Sequence, residues 1–241
     1  MSTAMIAAAS GMAAQQANLD VIAENLANAD VAGFKAASAT FAELTSRGED
    51  GLGAARTGTQ LSFDQGRVEK SGGAFDLAID GPGFLVVSDA NGRRAYTRDG
   101  SFARASDGSL RNANGWRLSG VRVPEDATGA SVTERGEVVA QTPRGPETIG
   151  RLRLAEFSTP QGLARVEGAL FRATAASGTM RLVVPGGDGP QIRFGMLEKS
   201  NVSIVASMMQ ILSAQRAYEA DAKGVQAADE MQRIANNLSR G

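Results

Sequence analysis

Paired carboxylates, such as Asp76 and Asp80, are one place where this sequence could do chemistry. Two carboxyl groups can divide acid and nucleophile roles across a glycosidic bond, which would make the chain a carbohydrate-active enzyme. Histidine and cysteine are both absent. That excludes Cys or His nucleophile–base pairs and removes the commonest ligands of zinc and other transition metals. Gly81-Pro82-Gly83 resembles the start of a dinucleotide fingerprint, but it lacks the third Gly and runs into the apolar Phe84-Leu-Val-Val, a strand rather than a helix. Lys70 and Lys199 precede Ser but follow Glu, so neither belongs to a phosphate loop. Asp89-Ala-Asn91-Gly92 hints at a calcium loop, yet Arg93 and Arg94 stand where a ligand and the Gly should be. A hairpin turn is the better reading, and no cofactor or metal is expected.

The elements around these residues fall into three kinds. Residues 3 to about 28 read as a helix, with Met5, Met12, Leu19 and Leu26 seven apart and Ala8 and Ile22 between them. The last forty residues mirror it: Ile204, Ile211, Tyr218 and Val225 are again seven apart, with Met208 between them. Ala228, Met231, Ile234 and Leu238 continue that face after a phase shift, and Ser200 or Asn201 is the candidate N-cap. From Phe75 to Phe194 the pattern changes to short apolar runs such as Phe84–Val87 and Met180–Val184. Asp80-Gly81, Asn91-Gly92, Asp99-Gly100, Asp107-Gly108, Asn114-Gly115 and Asp188-Gly189 punctuate them. Such dipeptides supply the positive φ angles of tight hairpins, so this part reads as antiparallel and all-β. Residues 46 to about 73 are rich in Gly, Thr and Ser and read as an extended connector.

The expected fold class is therefore α+β, with long N- and C-terminal helices and a central all-β domain. The expected domains are 1–35 (helix and turn), 36–74 (linker), 75–195 (β domain) and 196–241 (C-terminal helix). Isolated helices are marginal in water, so the two stripes must be buried. They could cover a face of the β domain, pack on each other, or pack on other copies.

Bulk composition narrows the partners. With 25 basic and 26 acidic residues the net charge is −1, which gives no electrostatic reason to expect nucleic acid. The arginines between Arg93 and Arg122, interleaved with Tyr96, Phe102 and Trp116, read as solvated strand faces with the aromatics inside. No apolar run approaches the ~20 residues that span a bilayer, so no membrane insertion is expected. Lys35 is the first basic residue, so the N-terminus lacks the positive region of a cleaved secretory signal. Twenty-nine Gly against 1 Trp, 2 Tyr and 9 Phe suit an elongated or assembling protein.

Four stretches resemble the bacterial flagellar rod and hook proteins, in the family's order and across nearly the whole chain. They are Gln16-Ala-Asn-Leu-Asp-Val-Ile-Ala-Glu-Asn-Leu-Ala-Asn28 with Gly33-Phe34-Lys35, Gly81-Pro-Gly-Phe84, Tyr96-Thr-Arg-Asp-Gly-Ser-Phe102, and Leu197-Glu-Lys-Ser-Asn-Val202 with Gln215-Arg-Ala-Tyr-Glu219. Glu24, Val31, Ala32 and Lys199 depart from the usual pattern. The short segment between Leu44 and Phe63 favours the proximal rod, whereas the run from Gly11 to Asp20 looks more like the distal form, so a distal-rod or hook-basal-body paralogue of the same family is the alternative.

The resemblance implies a non-catalytic subunit of the basal-body rod. In it the terminal helices form coaxial, coiled-coil-like inner layers of a tube, and the β domain faces outward. It also implies export without a cleaved signal through the flagellar type III apparatus, a periplasm-spanning location, torque transmission, and contacts with copies of itself and other rod proteins. The candidate interface residues are Met5, Met12, Leu19, Ile22, Leu26, Asn28, Asn201, Ile204, Met208, Ile211, Tyr218, Val225, Met231 and Leu238. A carbohydrate-active enzyme and an adaptor that binds a foreign helix are the readings from other classes.

Overall fold

The computed structural model describes residues 3–43, 53–133, 135–187 and 189–238. The chain is α+β, with a helix near each end and strands between them. Its contacts divide it into two units, one of residues 1–27, 37–62 and 203–241, the other of residues 28–36 and 63–202.

The first unit holds α1 (Thr3–Ala27), β1 (Ala37–Glu43), β2 (Ala54–Leu61) and α2 (Ile204–Leu238). The stretch read as a connector thus contains an antiparallel strand pair, running from Ala37 opposite Leu61 to Glu43 opposite Ala54. Few large apolar residues mark it, and the pair is held by α1 instead. Asn25 donates from Nδ2 to the Ala37 carbonyl (2.7 Å), and its Oδ1 accepts from the Ala37 amide (2.8 Å). This buried amide acts toward β1 as a neighbouring strand would. Ser10 Oγ accepts from the Ala54 amide at 3.2 Å and secures β2. The α2 helix starts one turn later than the sequence suggests. Ser203, not Ser200 or Asn201, is at its start, its Oγ accepting from the Ala206 amide at 3.3 Å.

The second unit is the β unit. It contains β3 (Val68–Lys70), β4 (Leu77–Asp80), β5 (Phe84–Ser88), β6 (Arg94–Thr97), β7 (Ala103–Arg104), β8 (Ser109–Arg111) and β9 (Arg117–Arg122). Then come β10 (Gly129–Val132), β11 (Glu137–Thr142), β12 (Gly145–Arg151), β13 (Leu154–Phe157), β14 (Ala164–Glu167) and β15 (Leu170–Arg172), and last β16 (Met180–Val183), β17 (Gln191–Phe194) and β18 (Met196–Glu198). Among the described residues, twelve of these strands, β5 to β16, form one antiparallel sheet, while β4 pairs with β17 and β3 with β18. Leu85, Val87, Leu118, Val123, Leu152 and Leu154 lie in its core, each at most 2% exposed.

Three of the turn dipeptides make the hairpins expected of them. Asn91-Gly92, Asp107-Gly108 and Asn114-Gly115 join β5–β6, β7–β8 and β8–β9, with glycine φ of 77°, 77° and 79°. Asp99-Gly100 does something else. A Cβ on Gly100 would lie 1.6 Å from the Leu77 carbonyl oxygen, and the Leu77 amide donates to the Gly100 carbonyl at 3.0 Å. Glycine is there for a close backbone crossing rather than a turn. Asp188 lies outside the described residues.

Candidate functional site

Two places in the fold gather the residues that the sequence singles out. The first is the helix pair. Along α2 the buried residues are Ser207, Ala214 and Ala228, and the half-buried Asp221 completes a stripe with a seven-residue repeat. Small side chains let α1 come close. A Cβ on Gly11 would sit 2.7 Å from Asp221 Oδ2. Ile211 and Val225 flank this seam half-buried, whereas Ile204 and Tyr218 are 43% and 40% exposed. On α1, Ile22 is buried, and Met5, Met12, Leu19 and Leu26 are half-buried.

The remaining large apolar side chains of α2 point away from that seam. Val205, Met208, Met209 and Leu212 follow the 3-4 spacing of one helix face and are 71%, 53%, 67% and 57% exposed. Met231, Ile234 and Leu238 repeat the pattern farther along, all more than half exposed. Asn28 and Asn201 do not belong to the helices. The Asn28 carbonyl closes a turn with the Val31 amide, and Asn201 belongs to the second place.

That second place lies wholly in the β unit, and all four family-like stretches meet in it. Glu198 is fully buried. Its Oε1 accepts from Lys35 Nζ at 2.6 Å and from the Gly66 amide at 2.9 Å, and its Oε2 accepts from Arg98 Nη1 at 3.1 Å. Lys35 also donates to the Asp64 carbonyl at 2.7 Å, and Arg98 Nη2 donates to the Gly81 carbonyl at 2.8 Å. Burial pulls the Lys35 ammonium below its ordinary pKa, more than the attraction of Glu198 restores it, and Arg98 is lowered by burial in the same way. The Arg98 guanidinium also lies 5.5 Å from the Phe84 ring centre, and that of Arg165 4.3 Å from the Phe34 ring centre.

Backbone and amide bonds finish the arrangement. The Gly33 amide donates to the Glu198 carbonyl (2.7 Å), and the Asn201 amide donates to the Phe34 carbonyl (3.3 Å). Asn201 Oδ1 accepts from the Ala36 amide (2.7 Å), and its Nδ2 donates to the Asp64 carbonyl (3.0 Å). Gly33 has φ of 66°, and a Cβ there would lie 2.1 Å from the Asp99 nitrogen. This cluster was not foreseen as a site, although Lys35, Arg98 and Glu198 all stand inside the family-like stretches.

The carboxylates proposed for sugar chemistry are otherwise engaged. Asp76 is buried against the Ser71 hydroxyl, and Asp80 Oδ2 accepts from Arg193 Nη2 at 3.0 Å. Asp89, of the abandoned calcium loop, accepts from the Asn91 and Arg93 amides and closes the β5–β6 hairpin.

Comparison with known proteins names the kind of chain in which two end helices pair while the middle folds as a sheet. Residues 5–35 match the family described as flagella basal body rod protein, residues 78–140 the D1 domain of flagellar hook protein FlgE/F/G, and residues 194–238 the C-terminal part of the flagellar basal body rod FlgEFG proteins. The flagellar basal-body rod protein FlgG of Borreliella burgdorferi is 37% identical over the full length of both chains. FlgG of Caulobacter vibrioides is 34% identical over 98% of each, and FlgF of the same organism 33% identical over 90% of this chain and 89% of its own. The chain belongs to the flagellar basal-body rod protein family, as a structural subunit and not an enzyme.

Proposed function

We propose that this chain builds a helical tube by pairing the outer face of α2 with helices of neighbouring copies and of other rod proteins, and that the tube carries torque. The observation that carries the reading is the exposed stripe Val205, Met208, Met209 and Leu212, on a helix whose opposite face is already used by α1. Contiguous exposed apolar surface of this kind marks a protein interface. On this reading the helices form the coiled-coil-like layer of the tube. Met208, Met231 and Leu238 meet neighbours, while Met5, Met12, Leu19, Ile22, Leu26, Ile211 and Val225 hold the pair together and Ile204 and Tyr218 sit at its margin. A face that differs from the surface it meets gives a contact that does not close, which extends as a filament.

Export without a cleaved signal, passage through the type III apparatus and a periplasm-spanning position are further parts of this proposal. Neither nucleic acid nor membrane insertion is part of the function proposed, given the balanced charge and because no helix among the described residues is long and apolar enough to cross a membrane. The test is an image of the tagged protein on isolated basal bodies, which also reads its position as proximal or distal. Label away from the rod axis would refute the proposal.

A further inference from the structure

The chain passes between its two units at four places, after residues 27, 36, 62 and 202. Three of these lie within a few residues of one buried charge cluster. Lys35 precedes the second, Asp64 follows the third, and Glu198 and Asn201 precede the fourth. The members also come from three separate matched segments, Lys35 from 5–35, Arg98 from 78–140 and Glu198 from 194–238.

We propose that Lys35, Arg98 and Glu198 are positioning residues that make the seating of each chain end conditional on the other. The segment leaving α1 and the segment entering α2 have no strand pairing with each other. They are joined by Gly33 to Glu198, Asn201 to Phe34 and Ala36 to Asn201, and the Glu198 carboxylate stands behind these bonds. A buried carboxylate is tolerated only while its donors are in place. Withdrawing residues 33–35 strips Glu198 of Lys35, and withdrawing residues 197–201 leaves two cations facing each other. Arg98 gives one N–H of Nη1 to Glu198 and one of Nη2 to the Gly81 carbonyl, and its Nε is buried without a hydrogen-bond partner, so its charge already depends on Glu198. Charge count ranks the members. Lys35 and Arg98 share Glu198, with the Asp64 carboxylate a weaker attraction on Lys35. Loss of Glu198 is therefore the severe lesion, and loss of Lys35 leaves the Arg98–Glu198 pair balanced.

The proposal deepens the rod-subunit reading, but its test uses the free full-length chain, so failure here and failure of assembly are told apart. Hydrogen exchange is read at the amides of Gly33, Ala36, Gly66, Lys199 and Asn201, all bonded within the junction, and at core amides of β5, β6 and β9. Lys35→Met should speed the five junction amides about tenfold or more and leave the core within about twofold, since local opening and global unfolding are separate events. Lys35→Arg should restore protection. Glu198→Gln should be worse than Lys35→Met, and the double variant milder than Glu198→Gln alone, because it removes one of the two stranded cations. A uniform loss across the core, no change at the five amides, or a double variant worse than Glu198→Gln overturns the proposal.

Discussion

Leu212→Asp separates the outer face of α2 from its inner seam. Leu212 is 57% exposed in the free chain. Covering the rest of it in an assembly contributes about 1–2 kcal/mol, from the ~1.5–3 kcal/mol of a fully buried leucine. The four residues Val205, Met208, Met209 and Leu212 together would contribute roughly 4–7 kcal/mol per contact if covered completely. Leu212→Ala should accordingly raise the protein concentration needed for assembly about tenfold, since 1.4 kcal/mol is a factor of ten. Leu212→Asp adds desolvation of an unpartnered carboxylate, several kcal/mol more, and should abolish assembly and motility. The monomer should melt as before, because the side chain already faces water. Ile22→Ala, at a residue only 4% exposed, should do the reverse and destabilise the helix pair by about 2–5 kcal/mol. Sedimentation of purified protein, thermal melts and swimming assays give the three readouts. Normal rods and swimming with Leu212→Asp would refute the outer-face assignment. A melt lowered as much as by Ile22→Ala would show that Leu212 belongs to the fold rather than to the assembly.

Three further substitutions probe the parts that position this surface. Asn25→Ala removes both partners of the Ala37 backbone and should cost about 1–3 kcal/mol for each buried group left unpaired, seen as fast exchange of the Ala37 amide. Gly100→Ala places a methyl group against the Leu77 carbonyl, 1.6 Å from the Cβ position, so β4 must move; a cooperative melt within a degree of the parent would refute this account. Asp99 is held above the ordinary carboxylate pKa, by burial first and then by the charge of Asp76, against the Ser101 hydrogen bonds that lower it. Its ionisation is thus disfavoured in the folded chain, and the penalty applies above the folded pKa and fades as pH falls toward 3.8. Asp99→Asn keeps an acceptor for Ser101 and should raise the melting temperature at pH 7 by a few degrees, with the gain shrinking as pH falls toward 3.8 and absent below it.

The fold class was legible because each kind of element carries its own period. Seven-residue recurrence marked the helices, and turn dipeptides marked three hairpins. The β1–β2 pair was not legible. Its strands run Ala-Ser-Ala-Thr-Phe-Ala-Glu and Ala-Ala-Arg-Thr-Gly-Thr-Gln-Leu, of which only Ala37 and Leu61 are buried, and its anchor is the side chain of Asn25 on the preceding helix. Burial pattern fails where a polar amide supplies the edge of a strand. Gly100 misled for the opposite reason, since the Asp-Gly signal of a hairpin is also what a tight backbone crossing requires.

The helix stripe was legible only in part, and the reason lies in how two helices come close. An apolar heptad shows the large residues Ile204, Ile211, Tyr218 and Val225, but the seam is centred on the small residues Ser207, Ala214 and Ala228 and on Asp221, which Gly11 of α1 leaves room for. Small side chains give almost no apolar signal. A narrow seam of this kind also leaves Met208, Met209 and Leu212 uncovered, so one choice of residues both closes the pair and leaves a second face exposed. The charge cluster was invisible for a related reason. Lys35, Arg98 and Glu198 read singly as surface residues, because a sequence does not show that residues 163 positions apart will meet. Only the three-dimensional path of the chain makes Glu198 scarce, buried and shared. That path is set by backbone approaches at Gly33 and Gly81, which the family-like stretches carry, and at Gly66, which lies outside them.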